Sequence, residues 1–167
     1  MSTDSAAFVV EIAALHRGKN LFLLSPDVEA RREIANRLGE QGITELQGEF
    51  ILTPISGGVD MALHLRARVD RLCVASLEPM VERIDERYSI RFERDLDDNA
   101  TDDDGEISRE PLEGETLDLS EILVQHLSVS LDPHPRKEGA TSLAEGYRDP
   151  VNLSPFSRLK GIVDGDA

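Results

Sequence analysis

Cysteine is all but missing from this chain: Cys73 is the only one in 167 residues. A single thiol cannot close a disulfide within the chain, nor hold a structural zinc, which takes four ligands. Tryptophan is absent and aromatics make up 4% of the sequence, so there is little with which to stack bases, and a single-strand nucleic-acid platform is disfavoured. No apolar run approaches the roughly 20 residues of a membrane-spanning helix. The apolar phrase AAFVVEIAALH is interrupted by Glu11, follows no basic segment, and reads as a docking strand or helix rather than a targeting signal. These absences together predict a cytoplasmic protein with no membrane association.

Positive charge is also scarce. Lys and Arg number 18 against 33 Asp and Glu, a formal net charge of −15. Taken whole, such a chain repels a phosphate backbone and draws basic proteins toward it. Signatures of chemistry are missing as well. His16, His64, His126 and His134 are scattered, with no pair at the i, i+4 spacing of a metal site; His64 and His126 read as surface or packed histidines. No G-x-S-x-G, Walker A or G-x-G-x-x-G stretch occurs, and Gly57 with Gly58 lies between two strand patterns as hairpin chemistry, not a phosphate cradle. The run DDNATDDDGE lacks the spacing of a calcium loop. The expectation is therefore no catalytic residue, no cofactor and no metal. A small-molecule enzyme is the rival, and it would need a deep pocket gathering titratable groups.

What is present is alternation. LFLLSPDVEARREIANRLGEQG predicts a short strand and then a helix, with Ser25 as N-cap, Pro26 at N1, Gly39 at the C-terminal stop, and Val28, Ile34, Ala35 and Leu38 as the apolar stripe. From Leu46 the period becomes two, through Phe50 and Leu52, then past the turn at Ser56–Gly58 through Met61, Leu63, Leu65, Ala67 and Val69. This predicts two half-buried antiparallel strands. The parity slips at Asp70 and Arg71, which predicts a bulge there. A turn about Leu77 and Glu78 leads to a third strand in IDERYSIRFERD, and folding about that turn sets Leu65 near Ile90 and Ala67 near Tyr88. The stretch 94–115 is acidic and poor in large apolar groups, which predicts a flexible loop. Asp118 and Glu121 then resemble a capping box, Leu119, Ile122, Leu123 and Leu127 form an apolar face, and Pro133 with Pro135 ends the helix. A last helical turn, SPFSRLKGI, is expected to dock through Phe156 and Leu159. The fold class is α+β: a single domain over 1–167 with an antiparallel meander of three or more strands and two main helices.

One feature runs against the overall charge. Arg66 and Arg68 on one strand, with Arg87 and Arg91 on its neighbour, project from one outward face beside His64. The bland reading is a solvated face whose arginines pair with Asp70, Asp85 or Glu93; the sharper one is a local basic stripe for phosphate contact, which screening over about 8 Å leaves intact on an acidic protein.

LCVASLEPMVERIDERYSIRF, the acidic stretch leading to EPLEGETLDLSEILVQHLSVSLDPHPRKEGA, and the closing NLSPFSRLKGI resemble the YceD family, described as large ribosomal RNA subunit accumulation proteins. The resemblance covers most of the chain from about Leu21, and the form without paired cysteines is similar to the alphaproteobacterial branch. Many relatives resemble a C-x-x-C where this chain has Cys73 and Ser76, so Cys73 is read here as a packed residue at a strand end. The resemblance implies ribosome biogenesis without catalysis; within that role the net charge points to binding of a basic ribosomal protein or a large-subunit assembly intermediate, with direct rRNA contact through the arginine stripe as the alternative. The interaction surface to test comprises His64, Arg66, Arg68, Arg87, Arg91, Arg136 and Lys137.

Overall fold

The elements follow from the alternation. The computed structural model describes residues 8–95 and 107–141. Strand β1 (Val9–Glu11) opens the described chain, followed after a short 3-10 turn by β2 (Asn20–Leu24), helix α1 (Val28–Leu38), and three long strands, β3 (Gly42–Ile55), β4 (Gly58–Leu72) and β5 (Pro79–Glu93). Then come β6 (Ser108–Pro111), β7 (Thr116–Asp118) and helix α2 (Leu119–Ser130). Strands β2 to β6 form one five-stranded sheet in chain order, antiparallel except for the parallel β5–β6 pair, while β1 and β7 form a separate antiparallel pair. Two helices against a mostly antiparallel sheet make an α+β fold. The apolar start docks as a strand, and among the described residues no helix is long and apolar enough to cross a membrane.

Successive side chains of a strand point to opposite faces, and β4 obeys this over most of its length: Val59, Met61, Leu63, Leu65, Ala67 and Val69 are buried while Ala62 and Arg68 are exposed. Leu46, Phe50 and Leu52 of β3 and Ile84, Ile90 and Phe92 of β5 join them on the inner face, beneath Leu119, Leu123 and Leu127 of α2. Close approach of α2 depends on Gly48, where a Cβ would stand 2.7 Å from Leu123 Cδ1 and 2.8 Å from the Phe50 ring.

Several local expectations need correction. The N-cap of α1 is Asp27, whose carboxylate accepts from the Ala30 amide at 2.9 Å, so Ser25 and Pro26 precede the helix; Gly39 ends it in the left-handed region at φ 74°. The capping box of α2 is half made: Asp118 accepts from the amides of Ser120 and Glu121, but the Glu121 carboxylate turns to Arg37 instead. The bulge lies on β3, between Ile43 and Glu45, while β4–β5 pairing continues through Asp70 and Arg71. The hairpin register is four residues away from that expected, with Leu65 opposite Glu86 and Ile90 opposite Met61. A shift by an even number leaves every face unchanged. Within the stretch expected as loop, Ser108–Pro111 is a strand, because its backbone finds the open edge of β5 and Leu112 packs into the core. Residues 96–106 of that stretch and the expected C-terminal turn with Phe156 and Leu159 lie outside the described residues.

At the rim of the inner face, four elements meet on one guanidinium. Arg71 donates to Glu40 Oε2 at 2.9 Å, Glu82 Oε2 at 2.5 Å and the Asp132 carbonyl at 2.7 Å, and Glu82 also accepts from the Asp132 amide at 2.9 Å. This joins the end of α1, both hairpin strands and the end of α2. The three side chains are only 11–16% exposed, so Arg71→Ala strands two carboxylates in poor solvent. Arg71→Ala is expected to lower unfolding stability by roughly 2–3 kcal/mol, somewhat under the cost of breaking a fully enclosed pair, as read from urea titration; a loss within 0.5 kcal/mol or so, ordinary for a surface change, would show that the cluster contributes little.

Candidate functional site

Strand parity decides what the outer face of the sheet carries. His64, Arg66 and Arg68 of β4 share it with Arg83, Asp85 and Arg87 of β5, and the register sets His64 opposite Arg87, Arg66 opposite Asp85, and Arg68 opposite Arg83. The structure thus brings His64, Arg66, Arg68 and Arg87 together as expected. It adds Arg83, which a third strand begun at Ile84 leaves out; continuing the parity of Arg87 back past Ile84 is the signal that finds it.

The pairing within this face differs from the bland expectation. Asp85 accepts from His64 Nε2 at 2.7 Å, and its carboxyl is held below the usual carboxylate range by that hydrogen bond first and then by the charges of Arg87 and Arg66. Arg91 is engaged by Asp60, through Nε at 2.6 Å and Nη2 at 3.0 Å, and Arg109 lies 3.8 Å from Glu93. Among the described residues, Arg66, Arg68, Arg83 and Arg87 enter no ion pair. Arg66 Nε is moreover covered and without a hydrogen-bond partner. Four guanidiniums therefore stand together without an ion pair, with Glu45 of β3 opposite Arg68 and Arg68 and Arg83 directly across a strand pair from one another. Like charges so placed oppose pairing. Arg83→Ser is accordingly expected to raise stability by about 0.2–1 kcal/mol, measured as a higher urea midpoint; an unchanged or lower midpoint would mean that the arginines do not strain the sheet.

Arg136 and Lys137 are not part of this face. They lie beside the hairpin tip, four residues beyond Arg68 on β4, or about 13 Å along a strand. There the Val74 amide donates to the Pro135 carbonyl at 2.9 Å, and Lys137 Nζ reaches Glu78 at 3.0 Å. The tip is tight: Leu77 donates its amide to the Cys73 carbonyl at 2.8 Å and takes φ 58°, a left-handed conformation unusual for a residue with a side chain.

Cys73 sits inside this turn and is fully covered. Its sulfur accepts from the Lys137 amide at 3.4 Å, 64 residues ahead in the chain, a contact no local pattern reveals. The thiol is lowered from 9.0 to about 7, by the Ser76 hydroxyl foremost and then by the amides of Lys137, Ser76 and Ala75. So Cys73 is packed, as expected from the sequence, but in a polar lining that favours the thiolate. Among the described residues no cluster of three or more His, Cys, Asp or Glu is arranged to hold a metal ion. Because the folded state holds the thiolate more readily than the unfolded chain does, the stability Cys73 confers is fully present above pH 9 and fades as pH falls through about 7. The difference in Tm between the native protein and Cys73→Ser is expected to widen from pH 7 to 9; a pH-independent difference would show that the lining does not select the anion.

The remaining histidines are structural or peripheral. His126 of α2 lies against Tyr88, ring centroids 4.4 Å apart, and burial pushes its pKa down. His16 and His134 are exposed in connecting segments.

The geometry meets the comparisons over the second half of the sheet. The model of a family described as "Large ribosomal RNA subunit accumulation protein YceD" matches residues 61–155, more than half of the chain, and its span takes in the arginine-bearing hairpin, the Cys73 turn and α2. No curated protein matches the chain, and no solved structure does. On that match the chain belongs to the YceD family of large ribosomal RNA subunit accumulation proteins.

Proposed function

We propose that this protein is a non-enzymatic ribosome-biogenesis factor that supports accumulation of large-subunit ribosomal RNA by laying the outer face of its sheet on RNA phosphates of an assembly intermediate. The observation that carries this reading is the group Arg66, Arg68, Arg83 and Arg87: four guanidiniums without ion-pair partners among the described residues, in a chain with nearly two acids for every base. Phosphate contact would relieve the repulsion of Arg68 and Arg83 across the strand pair, so stability given up in the free protein returns on binding. A double-stranded region suits this face better than a splayed single strand, since no aromatic side chain stands on it for stacking. Cys73 without a paired cysteine fits the alphaproteobacterial-type branch of the family.

A non-enzymatic role accords with the employment of three of the five carboxylates around the cavity where β2 meets the two helices. Asp27 and Asp118 there are helix caps and Glu121 is engaged by Arg37, which leaves them structural work instead of proton transfer.

The net charge of −15 favours a second reading, in which the acidic remainder of the surface engages a basic ribosomal protein before its incorporation. One titration series separates the two. Under the first, affinity for protein-free large-subunit rRNA falls steeply with salt, and Arg66→Glu with Arg87→Glu lowers it about tenfold or more while flattening the log–log salt slope by about 2. Folded protein that shows no such binding, yet retains ribosomal proteins extracted from the large subunit, would remove the first reading and leave the second.

A further inference from the structure

Where the end of β2 meets the two helices, they enclose an open cavity of about 630 Å³. That volume takes a few bulky side chains. Phe8, Leu23, Ile34, Leu123 and Val124 line it with apolar groups, and Leu23 and Phe8 are 64% and 43% exposed. The lining is preformed. Phe8 is held edge-on against Phe22 with ring centroids 5.9 Å apart, its amide donates to Ser120 Oγ at 2.9 Å, and its carbonyl accepts from the Leu119 amide at 2.9 Å. The Arg37–Glu121 pair, with contacts of 2.7 and 2.6 Å, ties α1 to α2 beside the opening.

Charge identifies what the cavity would receive. Asp27, Glu29, Glu33, Asp118 and Glu121 belong to its lining against a single cation, Arg37, which is already engaged by Glu121. An apolar floor inside an acidic border excludes nucleic acid and anionic ligands, and it fits a segment that carries bulky apolar side chains among lysines and arginines. The seven residues ahead of Phe8 bring Asp4 and no Lys or Arg, so they match this border poorly.

We propose that the groove between β2, α1 and α2 is a docking site for a short basic segment with apolar anchors, seated as an amphipathic helix whose leucine-like side chains enter the cavity while its cations meet Glu29 and Glu33. The inference rests on the second reading above, that the acidic surface receives a basic protein, and it gives that reading an address. It is independent of RNA contact at the arginine face, since none of Arg66, Arg68, Arg83 and Arg87 belongs to the lining of the cavity.

The test titrates the full-length protein with a short labelled peptide of Lys, Arg and Ala carrying two leucines one helical turn apart, alongside a counterpart with both leucines changed to serine. Leu23→Ser and the pair Glu29→Lys with Glu33→Lys are each expected to weaken binding about tenfold or more, as does the serine peptide, while the equally exposed pair Glu113→Lys with Glu138→Lys leaves it within about twofold. Methyl signals of Leu123 and Val124 are expected to shift on binding, and far-ultraviolet circular dichroism with urea unfolding establishes that each variant is folded. Equal weakening by the two Glu→Lys pairs would overturn the groove and leave only attraction by overall charge. If the peptide fails to bind but extracted large-subunit ribosomal proteins are retained, the groove falls and the second reading stands. If neither binds, both fall. Self-association of the free protein that Leu23→Ser abolishes would assign the groove to a second copy and overturn the proposal.

Discussion

The structure depends on one constraint: in β4 the inside and the outside are separated by single residues. From Val59 to Val69 every second side chain is buried, and the residues between them include His64, Arg66 and Arg68. Because the pleat admits no compromise between faces, the same strand that builds the centre of the apolar core must also carry Arg66 and Arg68 on its other face. β3 and β5 flank it on either side and extend each face. The helices cover the inner one, and the outer one is left to water and to whatever binds there.

That division explains how an acidic protein keeps a basic surface. Direct contacts consume some of the cations: Arg71 between Glu40 and Glu82, Arg91 at Asp60, Arg37 at Glu121 and Arg94 at Glu115. In the middle of the outer face Asp85 is taken by His64, Glu45 and Glu49 of β3 stand opposite Arg68 and His64, and among the described residues the neighbouring arginines enter no ion pair. Sheet stability alone favours opposite charges across strands; Arg68 meets that rule on its β3 side, opposite Glu45, and breaks it on its β5 side, opposite Arg83. The acids, meanwhile, gather at helix starts, where they cap amides and also border the groove of α1 and α2.

Sequence periodicity carries the inner face almost in full, since Met61 to Val69 and Tyr88 to Phe92 keep their parity in the folded chain. It carries the arginine face for the same reason, apart from Arg83. The failures have physical causes. Register along the hairpin is four residues from the expected one because alternation is indifferent to even shifts; only the turn decides, and its centre lies at Ala75–Ser76 instead of Leu77–Glu78. Asp27 outcompetes Ser25 as cap because Pro26 is spent before the helix begins. β6 is illegible because Ser108–Pro111 has no apolar alternation and is ordered by the edge it joins. The groove and the Cys73–Lys137 contact join segments far apart in the chain, and no local pattern announces them.

The left-handed Leu77 and the covered thiol beside it therefore have reach beyond their own turn. Were the hairpin to slide by two residues, every apolar group would stay inside, but Arg66 would face Arg87 and Arg68 would face Asp85. Two amino acids gained or lost at this bend would spare the interior and redraw the electrostatic map outside. The small turn thus acts as the molecule's index mark, fixing which charges are neighbours across nearly the whole length of the hairpin.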